Sequence, residues 1–268
     1  MTGRSSRLVL KPINSRMPRR AGARSRKQAA QVRAEIWNRH RELIVTASIA
    51  YLGLATALVA VFAALFGREP AWFLSGAALA AYPAAFREVF ISNEYRRLCD
   101  AALAEEFTSA ELRRLKSRGW RTIDHVEFDR FDVDHVAVGP AGIFVVETKN
   151  TNHAWNLAGG AFVNRWADGA DKQARTSADN IRALLKQKLG TEFEVRAVLM
   201  IWGDGKPHLT EPTRTRRDVT VVTGNLLRDH LLAGATSLDA QQISEISRTL
   251  RTFIANKEAH DRRRLVLV

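Results

Sequence analysis

The chain nearly lacks cysteine, with Cys99 the single one among 268 residues. A lone thiol closes no disulfide within the chain, which agrees with a reducing compartment, and it excludes the cysteine-based frameworks of structural zinc sites. His125, His135 and His153 do not restore that option, because no pair among them has zinc-ligand spacing. Acids are scarce at the start. The first 41 residues carry 12 Lys plus Arg against one acid, Glu35, and hold +11 of the formal net charge of +13. The rest of the chain is close to neutral, so the basic character belongs to an arm. Little apolar patterning precedes Ile36 and Trp37, and residues 1–41 are therefore expected to form a disordered basic arm. Its partner is anionic membrane lipid or nucleic acid, with lipid the simpler reading; an Arg-rich, acid-poor transit peptide shares the composition.

Charge is absent from Leu43 to Phe66, a run of 24 residues that is long enough to cross a bilayer as a helix. A second uncharged run, Ala71 to Phe86, reaches that length only by continuing through Arg87 and Glu88 to about Ile91. Arg87 can snorkel toward headgroups there, and Pro83 is tolerated in membrane helices. Residues 42–92 thus read as a two-helix transmembrane hairpin, the alternative being a buried hairpin of a soluble protein. Too many residues precede the first run for a cleavable signal. The connector Gly67-Arg68-Glu69-Pro70 carries one Arg and one Glu, whereas Arg39 and Arg41 precede the first run and Arg87, Arg96 and Arg97 end or follow the second. That asymmetry puts both termini on the cytoplasmic side of the cell membrane. Two short apolar helices without a buried charge pair provide no transport pathway, so they read as an anchor.

Residues 93–268 are long enough for one domain with a substantial core. A helix is expected over Glu94 to Arg118 with Leu98, Leu103, Phe107, Leu112 and Leu115 inward, followed by a strand from Trp120 to Phe128. Ala161 to Trp166 reads as an edge strand, and Ala170 to Leu189 as an amphipathic helix ended by Gly190. Val195 to Trp202 and Val219 to Val222 are buried strands, with helices starting at Leu226 and Asp239. The order helix, three strands, helix, strand gives an α/β sandwich. No internal repeat is present. Gly203-Asp204-Gly205-Lys206 lacks the four-residue gap between the glycines of a phosphate loop and reads as a turn.

The chemistry gathers on a hairpin. Val133 to Val138 and Gly142 to Thr148 are strands joined by the turn Gly139-Pro140-Ala141-Gly142. Centring the turn between Pro140 and Ala141 makes Gly139 face Gly142, Val138 face Ile143 and, counting outward, Asp134 face Glu147. Opposed carboxylates repel at roughly 4.5–5.5 Å between β-carbons unless a cation intervenes. Lys149, two residues past Glu147, shares its face. Acid, acid and lysine around Mg²⁺ or Mn²⁺ is an arrangement that polarises a phosphodiester and positions an attacking water. An edge ion pair is the plainer alternative.

The spacing Asp-x12-Glu-x-Lys resembles the PD-(D/E)XK nuclease superfamily. The fuller wording, Val133 to Pro140 and Gly142 to Asn150 with the trailing Asn150, is similar to the nuclease-related domain, NERD, over about residues 101–185. The resemblance implies a nuclease-like core and a further acid on the helix ahead of the strands. Ala104-Glu105 stands at that place without the family's glycine, with Glu106 next to it and Glu105 preferred. It also implies an auxiliary glutamine on the following helix, which Gln173 supplies. In the reading that follows, Asp134, Glu147 and the Thr148 carbonyl ligate Mg²⁺, Lys149 orients or deprotonates water, and Glu105 binds a second ion or orders water. The expected function is a membrane-anchored nuclease acting on nucleic acid, DNA before RNA. The alternative is a catalytically inactive NERD-fold binding or signalling module, consistent with a domain of low net charge.

Overall fold

The computed structural model describes residues 21–67, 75–77, 93–129, 131–163, 168–224 and 226–266. The chain divides into two compact units, residues 24–100 and residues 1–23 with 101–268.

Helix α1 (Ala23–Phe66) contains the first apolar run. Its Val45–Phe66 part, 22 residues with mean hydropathy 2.3, is long and apolar enough to cross a membrane by length and composition. Leu52, Leu54, Leu58, Val61 and Leu65 on it are exposed among the described residues. Residues 75–77 are helical; the remainder of the second run lies outside the described residues, so one apolar helix is seen where a hairpin was expected. Helix α2 (Asn93–Arg113) follows and ends in a short 3-10 turn at Lys116–Arg118.

The second unit is built on a sheet of β1 (Arg121–Glu127), β2 (Asp132–Gly139), β3 (Gly142–Asn150), β6 (Val195–Trp202), β7 (Thr213–Arg214) and β8 (Val219–Thr223). Among the described residues the order is β1-β2-β3-β6-β8-β7. β4 (Leu157–Ala158) and β5 (Ala161–Phe162) form a separate small pair. The edge strand expected to reach Trp166 is seen only at Ala161–Phe162, and residues 164–167 lie outside the described residues. Helices α3 (Asp168–Leu189), α4 (Leu226–Leu232) and α5 (Ala240–Val266) complete the unit.

β1, β2 and β3 are antiparallel, whereas β3, β6 and β8 run parallel, with α3 as the crossover that a parallel return requires. Alternation then sorts the core onto two faces. Ile123, Val136, Val145, Leu199 and Val221 pack with Ile181 and Leu185 of α3 and Ile246 and Leu250 of α5. Phe144, Val146, Val198 and Met200 pack with Leu112 of α2, Leu115 just beyond it, and Leu227 and Leu231 of α4. The mixed α/β layering expected from the sequence is what forms.

Leu103 differs from its expected place, being 45% exposed. The buried stripe of α2 is Ala102, Ala104, Thr108, Ser109 and Leu112, because small and hydroxyl side chains let the helix approach the polar end of the sheet. The hairpin turn forms as counted, with Gly139 paired to Gly142 and Val138 to Ile143. Trp120 lies against Gly139 so closely that an added β-carbon would be 2.1 Å from the indole. Asp239 caps α5: its carboxylate accepts from the Gln242 N–H at 2.8 Å, and the Gln242 side chain accepts from the Asp239 N–H at 2.9 Å.

Candidate active site

The β2–β3 ladder runs in register through the pair His135 and Val146. One further step would bring Asp134 opposite Glu147, and there the Asp134 carboxylate accepts a hydrogen bond from the Thr148 N–H at 2.8 Å. On the other side of β2, the β1 pairing is interrupted opposite Asp134, where His125 takes a left-handed φ of 56°. This distortion explains why Ile123 and Val126, three residues apart, share one core face.

Glu147 is buried, with 1% of its side chain exposed. Its Oε1 accepts a hydrogen bond from Lys149 Nζ at 2.8 Å, and Lys149 Nζ also donates to Gln173 Oε1 at 2.9 Å. Glu147 Oε2 is buried without a hydrogen-bond partner. Burial raises the Glu147 carboxyl to about 8; the charges of Asp134 and, less strongly, Glu105 act the same way, and Lys149 offsets only part of the effect. For Lys149 burial acts downward, but Glu147 and Asp134 outweigh it and hold the ammonium above the ordinary lysine range.

Glu105 lies on α2, where its Oε2 accepts the Gly22 N–H at 2.8 Å. Its charge is among those felt at Glu147, Lys149 and His135. The structure therefore brings Asp134, Glu147, Lys149, Gln173 and Glu105 to one end of β3. The donor set suits a hard cation, with two carboxylates, an orphaned carboxylate oxygen and an adjacent backbone carbonyl at Thr148. Among the described residues, no group of three or more His, Cys, Asp or Glu side chains has the arrangement of a metal cluster.

Two supports beneath this group were not foreseen. Thr108 Oγ1 lies 3.0 Å from Thr148 Oγ1, receives the Trp202 indole N–H at 2.8 Å and reaches the Ala104 carbonyl at 3.1 Å. It ties α2 to the ends of β3 and β6. The second support is a buried polar chain in which His135 Nδ1 lies 2.9 Å from Asp124 Oδ1, Ser109 donates to Asp124 Oδ2 at 2.7 Å, and Arg113 donates to Ser109 at 2.8 Å. Burial disfavours the His135 cation, yet the Asp124 hydrogen bond and charge prevail and raise its pKa. Burial acts upward on Asp124, and His135, the Ser109 hydrogen bond and the Arg113 charge together more than reverse it and lower its pKa. His135 Nδ1 is engaged by Asp124, and its Nε2 is buried without a hydrogen-bond partner among the described residues.

With this geometry in view, the family comparison is specific. Residues 101–202 match the nuclease-related domain, NERD. No curated protein and no solved structure matches the chain. The NERD match covers less than half of the chain and includes the β2–β3 hairpin, Glu105, Gln173 and the buried strand β6.

Proposed function

We propose that this chain is a membrane-anchored, metal-dependent nuclease whose NERD unit hydrolyses phosphodiester bonds on the cytoplasmic side. The observation that carries the reading is the buried, unpartnered Glu147 Oε2 beside a second carboxylate and a lysine. A buried acid oxygen without a partner is costly, and a divalent cation would satisfy it while neutralising the repulsion from Asp134. Asp134, Glu147 and the Thr148 carbonyl would hold Mg²⁺ or Mn²⁺, which supplies Lewis-acid polarisation of the phosphate and neutralises developing charge.

The chain's own groups have separate tasks. Gln173 and Glu147 hold Lys149 Nζ in place, so its ammonium is directed at the site and orients the water that attacks phosphorus. Asp134, by accepting the Thr148 N–H, fixes the turn of backbone that presents the Thr148 carbonyl. Glu105 orders water or a second ion from the α2 side. Nucleic acid is the substrate class, DNA before RNA, and the Val45–Phe66 segment holds the unit at the membrane with the basic arm against anionic lipid.

The test is cleavage of labelled single- and double-stranded DNA and RNA by the full chain with and without Mg²⁺. Glu147→Gln and Lys149→Ala should each abolish metal-dependent cleavage while the circular dichroism spectrum stays unchanged; variants as active as wild type reject the assignment. A binding or signalling module is the second reading, favoured by the low net charge of the chain beyond residue 41. A melting temperature that rises with Mg²⁺ or Mn²⁺, and no longer does so in Asp134→Asn, supports the metal site, whereas no shift with either metal favours the module.

A further inference from the structure

Most arginines on the second unit are engaged. Arg175 and Arg182 contact Asp179, Arg214 contacts Asp218, and Arg196 contacts Glu194 around one cavity. A different groove, of about 340 Å³, lies between the start of β1 and α5 and is lined by Arg121, Ser244, Ser247, Arg248, Arg251 and Thr252. Its three guanidiniums are exposed and have neither a hydrogen bond nor an ion pair among the described residues. No acid lines it. Ser247 is 1% exposed, yet its Oγ has no hydrogen-bond partner, although a helical serine ordinarily returns its hydroxyl to the preceding turn. Three uncompensated cations beside an unsatisfied donor form a site complementary to an anion.

We propose that this groove binds the phosphodiester backbone of a nucleic acid strand, independently of base sequence. Positions 244, 247, 248, 251 and 252 repeat at helical spacing, so the polar stripe extends along α5 for about 12 Å. That length exceeds a single phosphate and suits successive phosphates of one strand. Arginine's planar fork pairs with phosphate oxygens, and hydroxyls donate between them. The lining offers no aromatic platform for a base, and Ala255, its one apolar residue, makes no wall for an acyl chain. Arg121 alternates with Ile123 on the sheet face that also carries Ile143 and Val145, hence Glu147 and Lys149. Through the pairs Arg121–Val138 and Val138–Ile143, the groove lies two strands across, about 10 Å, and four residues along, about 13 Å, from Glu147. The identity of the occupant rests on the function proposed above; its binding in the groove does not require cleavage.

The test uses the full chain in detergent micelles with EDTA and a fluorescein-labelled single-stranded oligonucleotide, reading anisotropy across a salt series. Replacing Arg121, Arg248 and Arg251 together by alanine should weaken binding and lower the magnitude of the log affinity against log salt slope by about two, since each phosphate contact contributes ~0.7. The basic arm contributes equally to both proteins, so the difference reports the groove. Lysine at the same three positions should keep the slope, and an unchanged melting temperature shows that the alanine protein is folded. An unaltered slope in the alanine variant overturns the proposal, as does a wild type that binds no oligonucleotide. In a second arm the same proteins are titrated with phosphatidylserine vesicles, and a loss confined to that arm overturns the proposal in favour of lipid headgroups. A wild type that binds with the expected slope but does not cut DNA or RNA in Mg²⁺ rejects the nuclease reading and leaves the groove assignment standing.

Discussion

At Glu147, burial and the neighbouring Asp134 act together, so the carboxyl keeps its proton until about pH 8 instead of the ordinary 4.5. The unfolded chain releases that proton near 4.5, and between the two values the native state binds more protons than the unfolded one. Stability conferred by the neutral acid is therefore complete below about 4.5 and lost as pH rises through 8. Metal-free wild type should become easier to denature between pH 5 and pH 8, with each unit of native-state shift worth about 1.4 kcal/mol. Glu147→Gln should lack that decline, as urea melts in EDTA at several pH values would reveal; parallel pH curves for the two proteins would count against it. A divalent cation favours the ionised acid, so the rise in melting temperature with Mg²⁺ should be larger at pH 8 than at pH 6. Asp134, Glu147 and Lys149 were legible in the sequence because a two-residue turn and strand alternation fix their faces. The Asp124–His135 pair was not, because it depends on the β1 register and on a left-handed His125 that a β-pattern does not announce.

Between elements, the decisive contacts are small. Thr108 alone meets Thr148, Trp202 and the Ala104 carbonyl, so α2 is tied to both β3 and β6 at the end bearing the candidate site. Thr108→Val preserves volume but strands the Trp202 indole N–H and removes the partner of Thr148. A cost of about 1–3 kcal/mol in chemical denaturation is expected, and an unaffected midpoint would show that another group replaces the hydroxyl. The hairpin turn is constrained from one side by Trp120: Gly139→Ala puts a β-carbon into the indole, with an expected loss of about 1–3 kcal/mol. β6 was read at its observed bounds, Val195–Trp202, because a central parallel strand is apolar throughout. The inward face of α2 was misread at Leu103, since a stripe of Ala, Thr and Ser carries little hydrophobic periodicity. β7, with two residues, is too short to leave a pattern and exists only by pairing with β8.

Across the whole molecule, charge and hydropathy are segregated along the chain: a basic arm, a helix with an uncharged run, then a unit in which residues 101–202 match the nuclease-related domain. If Val45–Phe66 spans a bilayer, two arginines at its middle are each opposed by about 2.5–3.5 kcal/mol. Leu54→Arg with Leu58→Arg should therefore move the protein from the carbonate-washed membrane pellet into the supernatant, and a wild type already released by carbonate would exclude integral insertion. Orientation is a separate matter, decided by where the arginines lie. Arg39 and Arg41 precede the apolar run, Arg87, Arg96 and Arg97 close or follow the second one, and the connector has a single Arg balanced by Glu69. The lone Cys99 makes this testable, because Cys99→Ser leaves a chain without thiols. In that background Ser5→Cys should react with a membrane-impermeant maleimide only after permeabilisation, whereas Glu69→Cys should react on intact cells. The reverse pattern would place residues 101–268 outside the cytoplasm. Equal protection of both thiols would mean that the connector never crosses the membrane, leaving a surface-bound helix as the anchor.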